Sequence, residues 1–139
     1  MNYLLDTCVL SDLASRTPNA RVVQWMDGIE EARFYLSVIA IGEIRKGIEK
    51  LPPSPRRTAL LAWLEDQLLV RFGDRLLPID TATMLRWGEL TGGLEQQGRP
   101  LPAIDSLLAA TALHHGLCLV TRNEADFRGT GVTIVNPWG

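Results

Sequence analysis

Cysteine is scarce in this chain of 139 residues: Cys8 and Cys118 are the only two. Neither belongs to a Cys-x-x-Cys pair, and no His-x-x-His spacing accompanies them, so a disulfide framework and a structural zinc site are both excluded. The two thiols read as reduced and buried. Long apolar runs are missing too. No stretch approaches the roughly 18 apolar residues of a membrane helix, and no basic start leads into an apolar segment, so neither a span nor a signal peptide is expected. The expected location is the cytoplasm. An excess of positive charge is the third absence. Fourteen Lys plus Arg against sixteen Asp plus Glu give a net charge of −2, which excludes a protein that holds nucleic acid by bulk phosphate neutralisation. Twelve of the basic residues are arginine, the side chain better suited to bidentate phosphate contact. Transient nucleic-acid binding remains allowed.

What is present is an ordinary globular composition, 46% hydrophobic and 22% charged, without internal repeats. One domain over residues 1–139 accommodates it. The only Pro-rich stretch, Leu51-Pro-Pro-Ser-Pro55, reads as a turn between helices. Short apolar runs predict strands at Asn2–Asp6, Phe34–Ser37, Arg75–Ile79, Leu117–Thr121 and Val132–Val135, the last at an edge. Between them the apolar period is that of a helix. Ile41, Ile44, Ile48 and Leu51 stripe one from Val38 to Leu51. Leu60, Leu61, Leu64 and Leu68 stripe another from Ser54 to Phe72, with Ser54 as its cap. Thr81–Gln97, Ile104–His115 and one or two shorter helices between Thr7 and Glu30 complete the set. Alternating strands and helices predict an α/β fold with a mostly parallel central sheet of four to five strands flanked by helices. In such sheets ligands bind beyond the carboxyl ends of the strands.

Four acids fall near that edge. Asp6 closes the first strand, where an Asp serves as helix cap or as part of a site. Glu43 lies about two turns into its helix, with Ala40 and Gly47 at i−3 and i+4, so its surroundings are bare. Gly42 and Gly47 each cost that helix about 1 kcal/mol relative to Ala, which points to close approach of backbone or substrate. Asp105 shares a helical stripe with Leu108, Ala109 and Ala112; a first-turn Asp suits the helix dipole, but the dipole does not explain an inward-facing stripe. Asp126 follows the fourth strand in Thr121-Arg-Asn-Glu-Ala-Asp126. Taken singly, each acid has a structural account. Taken together, four carboxylates in one cleft repel unless a cation neutralises them, and an all-oxygen donor set suits Mg²⁺ or Mn²⁺ rather than zinc.

Four segments carry a family likeness: Tyr3-Leu-Leu-Asp-Thr7, Ser37-Val-Ile-Ala-Ile-Gly-Glu-Ile-Arg-Lys-Gly47, Asp105-Ser-Leu-Leu-Ala-Ala-Thr-Ala112 and Leu119-Val-Thr-Arg-Asn-Glu-Ala-Asp-Phe127. In order and spacing the chain resembles the PIN-domain ribonucleases, specifically the VapC-type toxins of type II toxin–antitoxin systems. The resemblance implies that Asp6, Glu43, Asp105 and Asp126 are the acidic quartet of a metal-dependent endoribonuclease, a hydrolase of phosphodiester bonds. It implies metal binding chiefly by Asp6 and Asp105, and support from Thr7, Thr121 and Asn123. Position 8 departs from the pattern, with Cys8 where Asn or Ser is commoner. Arg45 and Arg122 are candidates by position for holding neighbouring phosphates. His114 and His115 have no place in the pattern and read as a helix C-terminus. The implied partners are an RNA substrate, a small cognate antitoxin whose peptide occupies the acidic groove, and a second copy in a homodimer. Trp25, Trp63, Trp87 and Trp138 offer aromatic surface for such contacts, or core.

Rival readings are separable. A phospho-receiver module wants paired acids after the first strand and a Lys after the last, and Asn136-Pro137-Trp138 supplies none. A haloacid-dehalogenase-like phosphatase needs an Asp two residues beyond Asp6, where Cys8 stands. A catalytically silent PIN domain, binding in a nucleic-acid complex with its antitoxin, is the alternative within the family; the complete quartet argues against it.

Overall fold

A computed structural model describes residues 1–139. Five strands, β1 (Tyr3–Leu5), β2 (Phe34–Ser37), β3 (Leu76–Leu77), β4 (Cys118–Val120) and β5 (Ile134–Val135), form one sheet in the order β3-β2-β1-β4-β5. Every pairing is parallel, so the sheet is wholly rather than mostly parallel. Seven α-helices flank it: α1 (Thr7–Leu13), α2 (Ala20–Asp27), α3 (Val38–Glu49), α4 (Pro55–Ala62), α5 (Leu69–Phe72), α6 (Thr81–Gln96) and α7 (Ala103–His115). None is long and apolar enough to cross a membrane.

The two faces of the sheet bury separate cores, because alternate strand residues point to opposite sides. Leu5 and Val120 face Val9, Phe34, Ile44 and Phe72, whereas Leu4 and Leu119 face Leu108, Ala112 and Phe127. The edge strands are shorter than the sequence suggests. Arg75 is drawn out of β3 to donate to the carbonyls of Glu31, Phe34 and Arg71. Pro78 has no N–H to extend the ladder on the other side.

The expected helix from Ser54 to Phe72 exists with a difference. Ser54 caps it, its hydroxyl accepting from the Arg57 N–H at 3.1 Å, but residues Trp63–Leu68 widen into a π-helical segment between α4 and α5. Leu60, Leu64, Leu68 and Phe72 all turn toward the core at intervals of four. A regular α-helix rotates such a series by about 40° per step, and the wider turn absorbs that drift.

At the far end of α7, Gly116 ends the helix in the left-handed region at φ 66°, and the Leu117 N–H returns to the Ala112 carbonyl at 2.9 Å. A Cβ there meets no neighbour within 4 Å, so only backbone strain opposes a side chain. Gly116→Ala is expected to cost about 1 kcal/mol in urea unfolding with an unchanged m-value.

Candidate active site

The site lies at the carboxyl ends of β1 and β4. Asp6 directly follows β1 and its N–H still pairs with the Val120 carbonyl at 2.9 Å, which places it beside Thr121 at the end of β4. The Asp6 side chain is only 8% exposed. One carboxylate oxygen accepts from the Thr7 N–H at 2.7 Å and caps α1; the other accepts from the buried Thr121 hydroxyl at 2.8 Å. Cap and site are therefore the same residue.

Each remaining acid is set by a different element. Ser37 ends β2 and caps α3, its hydroxyl accepting from the Ile39 N–H at 3.1 Å, and α3 carries Glu43 back over the sheet edge. There the Thr7 hydroxyl donates to Glu43 at 2.7 Å. Asp105 is in the first turn of α7, whose start is tied to α6 by Trp87 Nε1 donating to the Ser106 hydroxyl at 2.8 Å. Asp126 stands exposed on the 3₁₀ turn Glu124–Phe127 after β4.

Asp6 and Asp105 respond to burial and to the charges around them. Burial pushes the Asp6 carboxyl above the ordinary carboxylate range; hydrogen bonds from Thr121 and Thr7 oppose this, and the charges of Glu43 and Asp126 push it up again. Burial raises Asp105 as well, reinforced by Asp126, Asp6 and Glu43. The folded chain thus binds these two protons more tightly than the unfolded chain. Stability is therefore expected to fall as pH rises from the ordinary carboxylate range through the raised values of Asp6 and Asp105. Thermal melts across that window in cation-free buffer check the sign.

Thr7 hydrogen-bonds to Asp6 and Glu43, and Thr121 to Asp6. Asn123 contributes its backbone instead: its N–H donates to the Thr121 hydroxyl at 3.0 Å. Cys8 is half-buried rather than buried, with its sulfur 3.8 Å from the same hydroxyl. Arg45 is engaged with Glu49 at 2.8 Å, and the Arg122 guanidinium lies 5.6 Å from the centre of the Trp138 ring. Trp25, Trp63, Trp87 and Trp138 are all half-buried. The hydrogen bond between Trp87 and Ser106 beside Asp105 joins two helices, and no sequence motif announces that pairing.

As the side chains stand, no three His, Cys, Asp or Glu groups are close enough together to hold a metal ion between them. The donor set nevertheless fits a hard divalent cation, since it consists of carboxylate and hydroxyl oxygens. His114 and His115 sit at the opposite end of α7, about 14 Å along the helix from Asp105. Beside Glu43, a groove of about 190 Å³ opens between α1, α3 and α4, lined by Thr7, Ile44, Ile48, Arg56, Leu60 and Trp63.

Comparison with known proteins identifies the family. The PIN domain family model matches residues 3–132. Toxin FitB of Neisseria gonorrhoeae is 34% identical over 97% of both chains. VapC ribonuclease Y4jK of Sinorhizobium fredii is 33% identical over 97% of this chain and 96% of its own length. The crystal structure of FitAcB from Neisseria gonorrhoeae superposes with a TM-score of 0.92 at 34% identity, covering 98% of each chain. With a match over nearly its whole length and the same fold, the chain belongs to the PIN domain family, in its VapC-type group.

Proposed function

We propose that this chain is a divalent-metal-dependent endoribonuclease acting as the toxin of a toxin–antitoxin pair, with Asp6, Glu43, Asp105 and Asp126 as its active site. The observation that carries the reading is the shared negative field at the sheet edge. Asp6 and Asp105 arrive from different elements, and each is held above the ordinary carboxylate range by burial and by the other acids. Keeping four acids at one edge is unfavourable for the fold alone and is relieved by a cation.

Asp6 and Asp105 would hold Mg²⁺ or Mn²⁺, which supplies charge neutralisation and a bound water of lowered pKa. Thr121 and the Thr7 N–H fix the Asp6 carboxylate, leaving its remaining lone pairs for that role. Glu43, oriented by the Thr7 hydroxyl, and Asp126, on its exposed turn, would position water near the scissile phosphate. Hydrolysis forms one bond from water oxygen to phosphorus, breaks one bridging P–O bond and returns a proton to the leaving oxygen.

A cognate antitoxin fits the same edge. Toxin FitB, 34% identical to this chain, is a toxin by name, and a solved toxin–antitoxin complex from Klebsiella pneumoniae shares the fold with a TM-score of 0.70. The groove beside Glu43 offers apolar lining next to negative charge, which suits an antitoxin segment carrying apolar residues and an arginine. Exposed Met84 and Leu85 on α6 offer apolar surface for a homodimer. The test is incubation of total RNA with purified protein in Mg²⁺, Mn²⁺ or EDTA. Cleavage in either metal and its loss in EDTA support the reading, and cleavage that survives EDTA refutes it.

A further inference from the structure

Both lysines of the chain, Lys46 within α3 and Lys50 at its C-cap, are exposed and lie one helical turn apart. Neither is paired: every ion pair in the molecule is made by an arginine. They flank a groove of about 480 Å³ that also includes Ile39, Gly42, Glu43 and Ile104. Ile104 is 43% exposed and directly precedes Asp105, so the groove runs from the lysines past Glu43 to the start of α7.

Resting on the ribonuclease reading, we propose that Lys46 and Lys50 form the track that holds the RNA backbone beside the scissile phosphate, in place of Arg45 and Arg122. Charge complementarity selects the occupant. Free ammonium groups next to an acidic centre suit a strand whose phosphates must be led past repelling carboxylates. The lysines are separated by about 6 Å along the helix, on the scale of neighbouring phosphates in an extended strand. Arg45, by contrast, is turned to Glu49, and Arg122 to Trp138. Gly42 and Gly47 leave the floor open: a Cβ on either meets nothing within 4 Å beyond its own helical turn, so packing does not require glycine at these positions.

The test is fluorescence anisotropy of a labelled mixed-sequence single-stranded RNA against a KCl series, in Mg²⁺. The Asp105→Asn background keeps the strand intact. The plot of log affinity against log salt is expected to flatten by about 0.7 in Lys46→Gln and by about 1.4 in the Lys46→Gln/Lys50→Gln double variant. Binding by the double variant weakens several-fold at low salt. Lys46→Arg/Lys50→Arg restores the slope, and Arg45→Gln leaves it unchanged. An unchanged slope in the double glutamine variant overturns the track, as does loss of antitoxin binding without loss of RNA binding. Total-RNA cleavage by the otherwise wild-type chain is scored separately, so failure of the nuclease reading is distinguishable from failure of the track.

Discussion

Asp105→Asn is expected to lower RNA cleavage by about 10³-fold and at the same time to raise the melting temperature in cation-free buffer. The first effect follows from the loss of a carboxylate that holds the metal, since several kcal/mol of transition-state stabilisation correspond to about three decades in rate. The second follows from the state of the same carboxylate in the folded chain. Burial and the charges of Asp126, Asp6 and Glu43 all disfavour its ionised form, so its folded pKa is raised. Above that value the ionised group carries the full penalty; below its unfolded pKa the penalty vanishes. An amide carries none at any pH. The gain in melting temperature, about 3–4 °C for each kcal/mol in a domain of this size, is therefore largest near neutral pH and shrinks as the solution is acidified. Mg²⁺ should reverse the ranking by stabilising the wild-type chain and not the variant. Opposite signs on activity and stability separate a functional carboxylate from a structural one.

Thr121→Val is expected to cost about 10–100-fold in metal affinity and in cleavage, although the substitution is nearly isosteric. The Thr121 hydroxyl is fully buried and serves both neighbours, donating to Asp6 at 2.8 Å and accepting from the Asn123 N–H at 3.0 Å. Valine leaves a carboxylate oxygen without its donor and an amide without its acceptor, a loss of about 1–3 kcal/mol in stability. The Asp6 carboxyl then moves further above the ordinary range, because the hydrogen bond that opposed burial is gone. Thr121→Ser keeps the hydroxyl and should recover most of the metal affinity. Titration of both variants with Mn²⁺ separates the hydroxyl's role from that of side-chain volume.

How much of this was legible in the sequence depended on how local the cause was. The junction of β2 and α3 was readable to the residue, since Phe34-Tyr-Leu-Ser37 is a strand run ending in a helix cap and Ser37 forms that cap. Asp6 drew attention because it closes a strand run, whereas Thr7 and Thr121 entered only through the family resemblance. The π segment at Trp63–Leu68 was not named, yet its cause was present: apolar residues repeating every four cannot stay on one side of a regular helix. The pairing of Arg45 with Glu49 was also available, as an i,i+4 pair on a helix, and it already disfavours Arg45 as a phosphate ligand. Other features depend on contacts distant in sequence. The Trp87–Ser106 bond beside Asp105 joins two helices; Asn123, though local, acts through a backbone N–H that any residue but proline supplies. The shortness of β3 is equally non-local, because it depends on where the Arg75 guanidinium finds carbonyls.

The central claim, that acids from separate elements form one cation site, is tested most directly by counting bound Mn²⁺ by electron paramagnetic resonance in the wild-type chain, Asp6→Asn and Asp105→Asn, with folding verified by circular dichroism. Specific Mn²⁺ binding by the wild type, lost in both folded variants, is the predicted result. Mn²⁺ binding that persists undiminished in both variants would contradict the account.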